Sequence, residues 1–177
     1  MNTHRFPMTL LSLAMASALG LSACSESPRE TAEDVAEASR ERAETVSEAR
    51  RDLNKAVAEG DEAMATAAAE GEHDINKAVI DPDSTRQDVA DATNEAVRKL
   101  DDASGEALER NAEANYDLAI AKAKGDFKVA SEQCDGYNTM AERDRCKDAA
   151  ENVYDDMVAK AKAELDDAEK LADMYKD

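Results

Sequence analysis

Large side chains are the most obvious shortage in this sequence. Tryptophan is absent, and only two Phe and four Tyr occur in 177 residues. Beyond residue 23, Val, Leu, Ile and Phe together number 19 of the remaining 154 residues. A chain with so little bulky apolar surface and such a high net charge is poorly suited to forming the core of a compact globule. Alanine is abundant instead and has the highest helix propensity, so the composition predicts long, thin helices with small residues along their seams.

Positive charge is also in short supply. The chain has 41 acidic and 22 basic side chains, which gives a net charge of −19. Residues 1–23 carry Arg5 and no acid, so the rest of the chain has 21 basic and 41 acidic residues, a net charge of −20. Such a chain lacks the clustered Lys and Arg that bind nucleic acid through phosphates. The Asp pairs at 101–102, 155–156 and 166–167 lack the glycine-turned loop of a calcium site, so we predict solvated surface, with no metal and no cofactor.

The N-terminus has the pattern of an export signal, with a short basic start followed by an apolar stretch. Met8 to Leu21 is apolar or small apart from three hydroxyl residues. At about 14 residues it is too short to span a bilayer, which needs roughly 20. Its end, Leu21-Ser22-Ala23-Cys24, resembles a lipobox, the signal at which bacterial lipoprotein precursors are cut and lipidated on cysteine.

This resemblance implies that residues 1–23 are a signal peptide and that the mature chain begins at Cys24, modified with acyl chains such as palmitate. Residues 24–30 then form a lipidated linker. Two or more acyl chains hold a protein stably on a membrane, whereas one chain holds it only marginally. In Gram-negative lipoproteins an Asp after the cysteine favours inner-membrane retention. Ser25 at this place therefore implies an outer-membrane lipoprotein facing the periplasm.

The segment 31–83 repeats every 11 residues. Residues 29–39, 40–50 and 51–61 read RETAEDVAEAS, RERAETVSEAR and RDLNKAVAEGD. Eleven residues make almost three helical turns, so the pattern keeps Val35, Val46 and Val57 near one face of a nearly straight helix. We predict a first helix over about 31–80, with fraying at Gly60 and Gly71 because glycine weakens a helix.

Asp81-Pro82-Asp83-Ser84 interrupts the helical pattern. Proline cannot continue a helix, and either Ser84 with Gln87 or Thr85 with Asp88 can form a capping box for the next one. A stripe that is closer to a heptad follows, formed by Ala96, Leu100, Ala103, Ala107, Ala114, Leu118 and Ala121. We therefore predict helices over about 85–134 and 139–175. The fold class is all-α, an elongated antiparallel hairpin or three-helix coiled-coil-like bundle in which residues 84–177 form a helical hairpin.

Once Cys24 is assigned to lipid, Cys134 and Cys146 remain as a pair. Thiols in an oxidising compartment usually form disulfides. In one continuous helix the two would lie about 18 Å apart, so a bond requires a turn between them. We predict that turn from Gly136 as a left-handed helix stop and from a capping box at Thr139. The alternative is a redox or metal pair, but the spacing is wide and the one histidine after the signal, His73, is remote in sequence.

Motifs around the two cysteines resemble a group of small proteobacterial envelope proteins. They are Tyr116-Asp117-x-Ala119, Ala121-Lys122, Glu132-x-Cys134-Asp135 and Arg143-Asp144-x-Cys146. The group shares Ala/Lys-rich helices around a turn flanked by two cysteines, and its members are described as exported proteins or lipoproteins of unknown function. The resemblance covers about residues 112–165 and implies no catalytic residues. The 11-residue repeats resemble, in pattern alone, those of late-embryogenesis-abundant proteins and exchangeable apolipoproteins.

These features predict a structural or interaction lipoprotein and no enzyme, because the sequence has no phosphate loop, metal triad or Cys/His pairing. It would act as a spacer, a scaffold or a protector against envelope stress, and would self-associate or bind an envelope protein. One alternative is a lipid- or surface-binding helix over residues 29–83. Another is a peptidoglycan tether, because residues 171–177 are similar to the end of the murein lipoprotein, although Asp177 follows Lys176. The aromatics Tyr116, Phe127, Tyr137, Tyr154 and Tyr175 form either a contact surface or a small core.

Overall fold

A computed structural model describes residues 27–176 of the chain and contains three α-helices and no strand within that range. They are α1 (Pro28–Ile80), α2 (Arg86–Asp135) and α3 (Met140–Lys176). The predicted all-α fold is confirmed, and the predicted bounds differ by three residues at the start of α1 and by at most one elsewhere. The signal peptide, the lipobox with Cys24, and Asp177 lie outside the described residues.

Polar caps determine where the helices begin. Ser27 accepts a hydrogen bond from the Glu30 backbone N–H while the Glu30 carboxylate accepts one from the Ser27 N–H, and Pro28 follows as the first helical residue. At α2 the sequence allowed two capping boxes, and the structure uses Thr85 with Asp88. These side chains satisfy backbone donors that a helix start otherwise leaves without partners.

Helices α1 and α2 form an antiparallel hairpin in constant register. Gly60 lies against Ala107, and Gly71 lies against Ala96. A step of 11 residues along α1 therefore moves the contact back by 11 residues along α2. The same step links Thr31, beside Gly136, to Arg42, beside Gly125. The hairpin predicted to fold at Pro82 is thus present, and its helices are about 75–80 Å long.

The 11-residue repeat supplies the contact surface of α1 through its small residues. The positions that face α2 are Ala38, Ala49, Gly60 and Gly71, which are spaced by 11, and three of them are fully buried. The valines of the repeat flank this line, and Val57 is 40% exposed. The expectation that α1 frays at its glycines is wrong. The helix runs unbroken through both, because the missing Cβ atoms let the α2 backbone approach.

Helix α3 packs on the opposite side of α2. Ala107 of α2 faces α1, while Gly105 approaches the Ala172 carbonyl of α3. Likewise Gly125 faces α1 and Phe127 faces α3. Residues two apart on a helix point about 200° from each other, so α2 is sandwiched between its neighbours. Within the described residues α1 and α3 do not contact each other, so the three helices form a single flat layer.

Helix α3 is shorter than the other two and covers only part of α2. It has 37 residues and reaches from the turn at Gly136 back to Gly105. The remaining stretch of α2, residues 86–104, contacts α1 alone. We call this part, with the facing residues of α1, the two-helix end. The part that contains the second turn and the cysteine pair is the clamped end.

Candidate functional site at the clamped end

A disulfide closes the clamped end of the layer. Cys134, near the end of α2, is bonded to Cys146, in the second turn of α3, with their Cα atoms 5.5 Å apart. Cys134 is completely buried and is the largest fully buried side chain among the described residues. The predicted pairing is confirmed. The metal alternative has no support from geometry, because His73 contacts the layer about 40 residues, or roughly 60 Å, farther along α2.

The turn between the cysteines differs in one detail from the prediction. Gly136 has φ −71° and ψ −8°, a right-handed conformation, so it is not a left-handed helix stop. The turn closes instead through short-range bonds, from the Gly136 N–H to the Gln133 carbonyl and from the Tyr137 N–H to the Cys134 carbonyl. What requires glycine at this position is space. A Cβ there would lie 3.2 Å from the Thr31 side chain of α1.

Beyond the turn, Thr139 begins α3 as the sequence predicted. Its hydroxyl accepts a hydrogen bond from the Glu142 N–H and donates one to the Glu142 carboxylate. Arg143 donates to the Tyr137 carbonyl at 3.1 Å, which ties the turn to the first turn of α3. Lys147 and Asp135 add an ion pair between the helices at 2.8 Å. The turn is therefore held by polar contacts on both sides of the disulfide.

The aromatic residues divide between the two interpretations that the sequence allowed. Phe127 and Tyr154 pack against each other across the α2–α3 seam with ring centroids 5.5 Å apart, two turns from the disulfide. They form the small core. Tyr137 and Tyr175 are exposed, and Tyr116 lines a groove between α2 and α3. The aromatic cluster and the disulfide together account for most of the bulky material that holds α3 on α2.

The start of α1 lies at this same end of the layer. Thr31 contacts the second turn, and Pro28 begins the helix four positions after Cys24. Hydrogen bonds from Ser27, first from its backbone and then from its side chain, lower the pKa of Glu30 below its usual range. The negative charge thus stays at the helix N-terminus, where it is favourable. Any group attached to Cys24 therefore emerges beside the disulfide and far from the Pro82 turn.

Ion pairs link the helices along both seams. Between α1 and α2 they are Arg42 with Asp126 at 2.5 Å, Lys99 with Asp74 at 3.0 Å, and Lys128 with Glu41. The hydrogen bond from Lys99 lowers the pKa of Asp74, and the same contact raises the pKa of Lys99. All these side chains remain partly exposed, so each pair adds little stability. They fix register in a seam that has few bulky residues to do so.

Lys176, the residue on which the peptidoglycan alternative depends, lies in the last turn of α3. Its ammonium is 2.5 Å from the Glu109 carboxylate of α2, and this hydrogen bond raises the pKa of Lys176. Its aliphatic stem lies over Gly105. A charged, ion-paired amine is a poor nucleophile, so a covalent link through this side chain would first require the pair to open.

Nothing in the described residues forms a recognisable catalytic centre. Residues 27–176 contain no group of three His, Cys, Asp or Glu side chains placed to hold a metal ion. None of the three described helices has a stretch both long enough and apolar enough to cross a bilayer. Comparisons of the chain with protein-family models, with curated proteins and with solved structures find no match.

Two features of the site were missed by the sequence reasoning. One is the role of the glycines as contact points, for which the signal was their spacing of 11 from each other and from Ala49. The other is a groove between α2 and α3 with Lys122 and Lys160 on opposite walls. Only the register of α3 on α2 brings those two lysines together, and the sequence alone does not determine it.

Proposed function

We propose that the protein is a lipid-anchored structural or interaction protein of the bacterial outer membrane, directed into the periplasm and without enzymatic activity. The observation that carries the proposal is the lipobox-like Leu21 to Cys24, four residues before a rod of about 80 Å. The acyl anchor and the clamped end would then lie together at the membrane. The Pro82 turn would lie at the far end, which suits a spacer or scaffold.

The way α1 is used supports this role over the lipid-surface alternative. The narrow apolar face of α1 carries Ala38, Gly60 and Gly71, and all three are buried against α2. A helix that lies in a membrane interface needs that face free, together with bulky residues that α1 lacks. The surface of the layer that faces solvent is mostly charged. A tethered rod therefore suits these residues better than a helix that spreads on lipid.

The anchor is tested by acyl labelling of the protein in Gram-negative cells. Labelled fatty acid should enter the wild-type chain and be lost in Cys24→Ser, while Ser22→Ala, which keeps the cysteine, should still be labelled. The resemblance to lipoproteins further predicts that Ser25→Asp moves the protein from the outer-membrane to the inner-membrane fraction, whereas Ser25→Ala does not. Equal labelling of wild type and Cys24→Ser would exclude the anchor.

The spacer role is tested by in-cell crosslinking with mass spectrometry. We expect crosslinks from the clamped end to membrane components and crosslinks from the Pro82 turn to a distant envelope partner or a second copy. Crosslinks from both ends to the same membrane would contradict a rod that stands away from its anchor. Protein linked through Lys176 to muropeptides would instead favour the tether.

A further inference from the structure

A groove runs along one side of the α2–α3 seam. Two adjoining cavities of about 520 Å³ and 360 Å³ share Met157 and together extend from Ala112 to Cys134. That span is about 33 Å long at the helical rise. The part nearer the disulfide is walled by apolar side chains, namely Phe127, Ala130, Ala149, Ala150, Val153, Tyr154 and Met157. Volumes in this range accommodate small organic ligands.

Two lysines face each other across the middle of the groove. Lys122 on α2 and Lys160 on α3 both line it and lie at matching heights. No carboxylate of the described residues lies within 4.0 Å of the Lys122 ammonium, and Lys160 has only Glu164 of its own helix, at 3.8 Å. Two like charges opposed across an apolar groove repel each other. Their placement in a chain of net charge −19 favours an anion between them.

The distances along the groove match one kind of ligand. From Lys122 to Cys134 is 12 residues, or about 18 Å. An acyl chain that spans one bilayer leaflet needs about 15 Å, half of the 30 Å hydrocarbon thickness. Lysine stems can lie on apolar surface while their charged heads stay at the rim. A carboxylate held between the lysines would therefore leave room for its chain to reach the disulfide.

We propose that this groove binds a long-chain fatty acid, with its carboxylate between Lys122 and Lys160 and its chain along Met157, Tyr154 and Val153 toward the disulfide. The site does not depend on acylation of Cys24, because the groove is formed by α2 and α3 alone. The opposite side of the layer offers no equivalent. The groove around Lys124 and Lys128 is lined by Glu41, Arg42 and Asp117 and holds its own ion pairs.

The test uses the full chain with Cys24→Ser, so that no detergent is needed, and a fluorescent 18-carbon fatty acid, cis-parinaric acid, as probe. We expect saturable binding of one probe per chain. Replacing both lysines by Gln should weaken binding about tenfold or more, since each exposed charge pair contributes up to roughly fivefold. Lys124→Gln, two residues along α2 on the other side, is the matched control and should bind as the parent does.

The chain end is tested separately. Val153 is 58% exposed and lines the groove, so Val153→Asp should keep the fold while it places a charge beside the acyl chain. We expect a loss of at least fivefold, with no loss for Leu171→Asp, a control on α3 outside the groove. The methyl ester of the probe should bind more weakly than the acid. Absence of saturable binding, equal binding of acid and ester, or equal effects of test and control variants in chains of unchanged helicity would overturn the proposal.

Discussion

The two sides of α2 hold their neighbours by different means. On one side the contact with α1 extends along the whole of α2, has no covalent link, and depends on glycine or alanine at every eleventh position of α1. On the other side α3 covers residues 105–135 only, and the contact is closed by a disulfide and an aromatic pair. A chain short of bulky apolar residues thus has two ways to build a seam: make it long and close, or make it short and clamped.

The long seam also changes along its length. By the register that joins Gly60 to Ala107, Ala49 lies opposite Leu118, which is buried. Toward the Pro82 turn the facing residues become smaller, until Gly71 meets Ala96. A Cβ at residue 71 would lie 2.7 Å from the Ala96 Cβ, closer than real contacts allow. The backbones therefore approach most closely in the two-helix end, where no third helix supports them.

Removing the disulfide should have the largest effect and should separate the two seams. A bond that closes a loop of this size stabilises by about 3 kcal/mol in the chain-entropy model. With both Cys134 and Cys146 replaced by Ser, we expect α3 to lose protection against amide hydrogen exchange while α1 and α2 largely keep theirs. Chemical reduction of the parent chain should produce the same pattern. Equal loss of protection in all three helices would contradict independent seams.

The close approach at residue 71 is tested by Gly71→Ala. The added methyl overpacks the contact, which costs about 1–3 kcal/mol, more than the gain of about 1 kcal/mol in helix propensity. We expect a net loss of about 1 kcal/mol in the free energy of unfolding, measured by urea denaturation. Adding Ala96→Gly removes the opposing methyl and should restore stability, a coupling that a double-mutant cycle detects.

A second glycine is the control for this effect. At residue 125 a Cβ would meet the aliphatic stem of Arg42, which can move aside, rather than a methyl fixed to the opposing backbone. Gly125→Ala should therefore be neutral or stabilising. If substitutions at residues 71 and 125 were equally destabilising, close backbone approach would not be the basis of the long seam.

The cap of α2 should have a smaller, local effect. Replacing Thr85 by Ala removes the hydroxyl that accepts from the Asp88 N–H and should cost about 1 kcal/mol. Faster hydrogen exchange should be confined to the first turns of α2, in the two-helix end. The control is Ser84→Ala, which removes the capping residue that the structure does not use. A larger loss from the Ser84 change would mean that the cap is wrongly assigned.

The ion pair at the two-helix end should have the smallest effect, and it should depend on pH and salt. Lys99 lowers the pKa of Asp74, so its contribution is complete above the ordinary aspartate value near 4 and is lost as the pH falls through the lower folded value. Asp74→Asn should be slightly less stable than the parent at pH 7 and low salt. The difference should disappear below about pH 4 and shrink in high salt. Asp52→Asn, on the same helix, is the control and should show no such dependence.

Much of this architecture follows from sequence. Pro82, the polar residues before each helix and the richness in alanine were enough to locate the helices, and the spacing of Cys134 from Cys146 required the second turn. The side-by-side order was not predictable, because both faces of α2 carry alanine and glycine at helical spacing. Periodicity reveals a stripe but does not say which neighbour covers it. For the same reason Gly60 was interpreted as a weak point, whereas its missing side chain is what makes the contact.

The most direct test of the flat layer is a set of three distances between spin labels at Arg50, Asn115 and Glu164. These exposed positions lie at similar heights on α1, α2 and α3, by the registers through Gly60 and Phe127. Neighbouring helices pack about 8–10 Å apart, so a layer places the axes of α1 and α3 roughly 16–20 Å apart. We therefore expect the distance from residue 50 to 164 to approach the sum of the other two. Three similar distances would mean a triangular bundle and would contradict the layer.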